Sequence, residues 1–242
     1  MSKNGSRVGA MALTSAALLG AGASSAWADS PSNTPASLSG IQAKAAAAIT
    51  LRINDLNAAV AKVNAAKSLG SSASTLNAYL QADIAPLQQL GQKIAADTSV
   101  TTAKNDAASI YSSYRVLALV LPAVRLAGDS DAVANGAVPK LTADSAQATS
   151  HMNVSNQATV QPLITDLNSQ ISAATSATSG LASTVLGYTP SQWNANKELL
   201  TSARSTVETA NGDIKKARAD LVRIRADVKG SAPAAAPATT TN

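Results

Sequence analysis

Few residues in this chain are of the types that carry out acid–base or metal chemistry. His151 is the only histidine and there is no cysteine, so a zinc site or a histidine-based triad would have to be built around one side chain. The only glutamates, Glu198 and Glu208, are ten residues apart, which places them on different sides of a helix. Neither pattern is typical of a metal centre or a catalytic carboxylate pair. We therefore expect a protein that is not an enzyme and that holds no metal or cofactor.

One short acidic stretch resembles part of a calcium-binding loop. Asp129-Ser130-Asp131 resembles the start of a calcium loop, but the residues that follow, AVANGAV, supply no further carboxylate. The stretch is better interpreted as a helix cap. There is also no glycine-rich phosphate loop and no Gly-x-Ser-x-Gly motif. An enzyme of unfamiliar type acting on wall glycans stays an alternative, which a deep cleft holding two buried carboxylates would support.

The most regular pattern lies near the C-terminal end, where apolar residues are spaced alternately three and four apart over four heptads. We call these nine residues the seam: Leu200, Ala203, Val207, Ala210, Ile214, Ala217, Leu221, Ile224 and Val228. The spacing is typical of a helix that packs along one narrow face. Three of the nine are alanine, which favours close packing within the chain over a free-standing zipper. A monomer is therefore favoured, and a homodimer through a coiled coil is the alternative.

The same stretch carries the highest local charge of the chain. Six cations stand against Asp220 and Asp227, a net charge of +4: Lys215, Lys216, Arg218, Arg223, Arg225 and Lys229. Such a cluster could bind an anionic envelope polymer, a lipid surface or an unknown protein. The alternative is a solvated face whose cations lie favourably near a helix C-terminus.

Nucleic acid is not an expected partner. The whole chain has a net charge of +5, and loss of Lys3 and Arg7 with a signal peptide would lower it to +3. The chain has no phenylalanine, four tyrosines and two tryptophans, so it offers few rings on which bases could stack.

The first 28 residues have the pattern of a Sec-type signal peptide. Lys3 and Arg7 precede an apolar stretch at 8–23, and Ala26 and Ala28 supply the small residues before cleavage, with Asp29 as the first mature residue. An uncleaved anchor is the weaker alternative, because polar residues and glycines interrupt the apolar stretch. We expect a secreted or extracytoplasmic protein with no transmembrane span after cleavage. Without disulfides, its core alone must hold the fold.

Hydrophobic periodicity predicts an all-α fold. After a flexible leader at 29–37, helices are predicted at about 38–69, 73–96 with a kink at Pro86, 100–128, 157–186 and 190–229. Residues 131–152 continue the third helix after a kink or form a short separate helix. Thr189, Pro190 and Gln192 mark the start of the last helix. We predict one domain, 38–229, an elongated antiparallel bundle of four to five long helices with coiled-coil-like seams, followed by a disordered Pro/Ala/Thr tail at 230–242.

Four segments, in order, carry a resemblance: AYLQADIAPLQQLGQKIAAD, YRVLALVLPA, PKLTADSA and YTPSQWNAN. With the signal peptide before them, the chain resembles uncharacterised exported helical proteins of high-GC Gram-positive bacteria (actinobacteria). The resemblance implies export and a helical architecture, and it transfers no functional residue. We expect an exported, non-enzymatic structural or interaction protein of the cell envelope or extracellular space.

Overall fold

The computed structural model describes residues 37–230, and every regular element in that range is a helix. The predicted signal peptide with Ala26, Ala28 and Asp29 lies outside the described residues. Of the predicted leader only Ser37 is described, and of the predicted tail only Gly230 is described.

Ten α-helical segments succeed one another within residues 37–230. They are α1 (Leu38–Ala65), α2 (Ser72–Gln81), α3 (Ile84–Ala96), α4 (Val100–Ser112), α5 (Leu121–Asp131), α6 (Val138–Ser150), α7 (Gln157–Thr178), α8 (Leu181–Leu186), α9 (Pro190–Ala195) and α10 (Thr201–Gly230). A 3₁₀ turn at Lys67–Leu69 follows α1, and π-helical segments at Val116–Val120 and Ala132–Ala137 precede α5 and α6. The all-α prediction is confirmed for this range, but the chain is divided more finely than four to five long helices.

The predicted kink at Pro86 is confirmed as a break. Residues 82–83 separate α2 from α3, and Pro86 lies in the first turn of α3. Because proline has no N–H, it cannot donate to the carbonyl of Ala82, and the helix restarts where that loss is tolerated.

A second break, which the pattern did not predict, interrupts the third predicted helix at residues 113–115. Arg115 has a left-handed backbone, with φ of 48°, and α4 ends just before it. From residue 116 the chain is helical without interruption to residue 150, so it passes through Gly128. Pro122 and Pro139 each lie near the start of an α segment that follows a π segment. The wider π turns accommodate prolines that a regular helix would reject.

The last two predicted helices are also divided. The helix predicted over 157–186 breaks at Gly180, whose φ is 69°, and the helix predicted over 190–229 breaks at Asn196, whose backbone is extended. The predicted cap is confirmed, since Thr189 and Gln192 form a capping box at the start of α9. Asn194 then ties α9 to α4 and its break: its side chain donates to the Ser112 carbonyl at 2.9 Å and accepts from Arg115 Nε at 2.7 Å.

Buried side chains form two hydrophobic cores that share α10. The first core comes mainly from α1 to α5, with the end of α8 and the start of α10. The second comes from α6, α7 and the rest of α10. Ser130 of α5 donates to the carbonyl of Thr178 at the end of α7. The C-terminal end of α7 and the N-terminal end of α10 thus both adjoin the first core, so the two helices run antiparallel.

The seam lies inside these cores. Its first eight residues are each at most 4 % exposed, and half-buried Val228 packs against the second core. Leu200, Ala203 and Val207 belong to the first core, and the five from Ala210 to Ile224 belong to the second. A 3–4 spacing can bury one side chain per turn over such a length without a slip in register. Within the described range, no helix has the length and apolarity needed to cross a bilayer.

Candidate functional site

The six predicted interaction cations all lie exposed on α10. Three of them form ion pairs: Lys216 with Asp213 at 3.3 Å, Arg223 with Asp220 at 3.5 Å, and Arg225 with Asp144 of α6 at 3.2 Å. Lys215, Arg218 and Lys229 have no ion pair with any residue in the described range. In each pair the cation is exposed while the carboxylate is largely buried, so even the paired cations can reach a ligand.

Four of these cations line one flank of the seam. We call this flank the basic stripe: Lys215, Arg218, Val222, Arg225 and Lys229, each one residue beyond a seam position. Because Arg225 reaches Asp144, the stripe lies on the α6 side of α10. Val222, in its centre, is 65 % exposed. The stripe is therefore a row of cations around one apolar side chain, held rigidly because the seam beside it is buried.

The opposite flank of α10 is acidic and faces α7. Asp220 is nearly buried, and its carboxylate accepts a hydrogen bond from Gln170 Nε2 of α7 at 3.0 Å. This flank is occupied by contacts within the chain. The two flanks therefore differ in environment as well as in charge. The acidic flank is directed towards α7, and the basic stripe is directed towards solvent.

The residues considered for enzyme chemistry are not brought together. His151 ends α6 and is exposed, Glu198 is exposed and accepts from Thr201 Oγ1 at 2.6 Å, and Glu208 is exposed on α10. Asp129 and Asp131 lie within α5, not in a loop or at its start, so the interpretation of this stretch as a helix cap is wrong. Among residues 37–230, no three potential metal ligands are grouped.

The described surface includes two open grooves between helices. One, of about 420 Å³, lies between α2, the end of α5, and α8, and is lined by Ser72, Thr75 and Asp131 among others. The other, of about 610 Å³, lies between α1 and α3 near Ile49 and Gly91. Asp131 is the one carboxylate that lines either groove, so neither brings two carboxylates together.

Polar and aromatic side chains cluster where α2, α3 and α4 meet α1, a feature that the sequence pattern missed. Arg52 of α1 is 6 % exposed and lies over the ring of Tyr111. Asp83 lies half-buried in the joint between α2 and α3, where burial raises the pKa of its carboxyl to about 6. Burial and the charge of Asp83 raise the pKa values of Tyr79 and Tyr114. The sequence predicted the break between α2 and α3 from Pro86, but no pattern in it predicted that an arginine would occupy a core position.

The chain matches no protein-family model, no curated protein and no solved structure.

Proposed function

We propose that this protein is an exported, non-enzymatic interaction protein that binds an anionic polymer of the cell envelope through the basic stripe. The observation that carries the proposal is the burial of the seam. Because one face of α10 is used within the chain, the stripe beside it stays exposed and rigid. Lys215, Arg218 and Lys229 are the cations available there that form no ion pair with a described residue.

The shape of the stripe favours a polymer over insertion into a membrane. A helix that lies in a bilayer interface buries a broad apolar face in the lipid. The apolar face of α10 is already buried against α6 and α7, and Val222 alone is apolar within the stripe. A row of cations along one helix instead matches repeated anionic groups along an extended chain.

Export and the monomeric state belong to the same proposal. The signal peptide predicted at 1–28 would carry the chain out of the cytoplasm and into the envelope, and such polymers occur in the envelope. Burial of the seam within one chain supports a monomer, because it leaves α10 no free apolar face for a second copy.

The test is a binding measurement with a matched charge control. We expect wild-type protein to bind a polyglycerol phosphate with an affinity that falls steeply between 50 and 300 mM NaCl, since screening weakens exposed charges. The variant K215Q/R218Q/K229Q is expected to bind at least tenfold more weakly. The control K62Q/K67Q/K104Q removes three exposed cations elsewhere and should bind like wild type.

Equal losses in the two triple variants would overturn the proposal, because they would show that net charge alone attracts the polymer. Tight binding to anionic vesicles with no binding to the polymer would instead make the partner a membrane surface.

A further inference from the structure

Arg52 occupies a core position of α1. The buried residues around it on this helix, Ile41, Ala45, Ile49 and Leu56, are apolar, yet Arg52 itself is only 6 % exposed. A charged side chain is rarely buried this far unless it has an oppositely charged partner.

No such partner is present in the described part of the chain. Arg52 donates one hydrogen bond, from Nη1 to the carbonyl of Ala48 on its own helix at 2.8 Å. Among residues 37–230 it forms no ion pair, and Asp106 of the facing helix α4 is bonded to Lys93. The raised pKa of Asp83 is caused by burial alone, with no cation lowering it. The charge of Arg52 is therefore not neutralised within the described chain.

The guanidinium is nevertheless held in a defined plane. Its central carbon lies 4.5 Å from the centroid of the Tyr111 ring, a stacked arrangement that stabilises the cation and fixes its orientation. The side-chain atoms in the described range that are buried without a hydrogen bond belong to other residues: Asn77, Asp97, Asp106, Asn156 and Gln170. Nε and Nη2 of Arg52 are not among these atoms and make no hydrogen bond to a described residue, so both keep a small contact with solvent while Nη1 is used inside.

We propose that Arg52 and Tyr111 form a binding site for a carboxylate. The free Nε–H and Nη2–H edge donates two parallel hydrogen bonds to the two oxygens of one carboxylate, and Tyr111 holds the guanidinium plane. A carboxylate matches this site in charge and in planarity, since one negative charge balances one guanidinium. The site lies on the first core, and its ligand is separate from the polymer that the basic stripe would bind.

The source of the carboxylate is either a small acid or an acidic side chain of a peptide, and one titration distinguishes them. The full chain, labelled with ¹⁵N, is titrated with sodium propionate or with acetyl-Gly-Glu-Gly-amide at constant ionic strength. The Arg52 Nε–Hε signal is followed by NMR. We expect a saturable shift that sodium chloride does not produce. Equal affinity for the two ligands would assign a small acid, and at least tenfold tighter binding of the peptide would assign a peptide chain.

Variants test whether the stacked guanidinium is responsible. Arg52→Lys keeps the charge but loses the two-pronged edge, and we expect at least tenfold weaker binding, followed through the backbone amides of residues 48–56. Tyr111→Leu removes the ring that holds the guanidinium plane, and it should also bind more weakly than wild type. Arg52→Met should remove binding while its melting temperature stays equal or rises, because a buried unpaired charge is replaced by an apolar side chain.

The proposal fails if the wild-type shift is linear and equal to that in chloride, if inorganic phosphate saturates the site where carboxylates do not, or if Arg52→Lys binds as tightly as wild type. The wild-type titration decides the question even if Arg52→Met does not fold.

Discussion

Single side chains with unusual surroundings concentrate in the first core. Asp83, in the joint between α2 and α3, is half-buried and makes no side-chain hydrogen bond to any described residue; burial raises the pKa of its carboxyl to about 6. A raised pKa means that the folded state holds the proton more tightly than the unfolded chain does. Stability is therefore greatest below the unfolded pKa of about 4 and falls as the pH rises towards 6.

Replacing Asp83 by asparagine should remove part of this pH dependence. We expect Asp83→Asn to raise the free energy of unfolding at pH 7 by on the order of 1 kcal/mol, a figure reduced for the partial exposure of the side chain. The measurement is urea unfolding of both proteins between pH 4 and pH 7. Asp129, whose pKa burial also raises while Arg125 opposes the rise, leaves a residual slope. If the free energies of unfolding of wild type and Asp83→Asn changed in parallel with pH over the whole range, the result would contradict this assignment.

Individual residues could be predicted where a local rule decides their role. Thr189 and Gln192 form the expected capping box, because that motif depends only on neighbours in sequence. Arg52 could not be predicted, since periodicity places charged residues on the wet face and the stacking partner, Tyr111, lies on another helix.

At the scale of elements, glycines occur in two settings. Some lie where a helix ends, and others lie inside a helix that would accept a side chain there. Gly180, between α7 and α8, has a φ of 69°, and a Cβ there would meet no atom within 4 Å. Gly212, inside α10, also has nothing within 4 Å of an added Cβ, but its φ is not positive. The two sites differ in backbone conformation and not in available space.

Alanine at these two positions should have opposite effects on stability. Gly180→Ala should lower the free energy of unfolding by about 1 to 2 kcal/mol, because a left-handed backbone strains an L side chain. Gly212→Ala should raise it by about 0.5 to 1 kcal/mol, because alanine is the better helix former. Urea unfolding of the two variants checks this, and each is the control for the other. A change of the same sign in both variants would show that the backbone conformation does not determine the effect of alanine on stability.

The elements that follow one uninterrupted pattern were the most predictable. The seam keeps its register through both cores, because its spacing is a property of one helix. The break at Arg115 could not be predicted, since a left-handed arginine violates the usual preference and depends on its bond to Asn194, 79 residues away.

At the scale of the whole chain, α10 joins two cores and carries the stripe that we propose as the binding surface. Hydrophobic periodicity predicted an all-α protein, and every regular element of residues 37–230 is a helix. Which face of α10 is buried decides the rest: a seam packed in its own chain leaves the stripe as the exposed surface, whereas a seam shared between two copies would bring two stripes together and make the dimer the functional unit.

The most direct measurement is the solution mass of residues 29–242, by size exclusion with light scattering, for wild type and for Leu221→Asp/Ile224→Asp. We predict a wild-type monomer and a variant that loses its helical circular dichroism, because two carboxylates forced into the core would cost more than about 4 kcal/mol. The control Leu51→Asp/Val222→Asp, at positions that are 53 % and 65 % exposed, should stay folded and monomeric. A wild-type dimer that the seam substitutions separate into folded monomers would contradict this account.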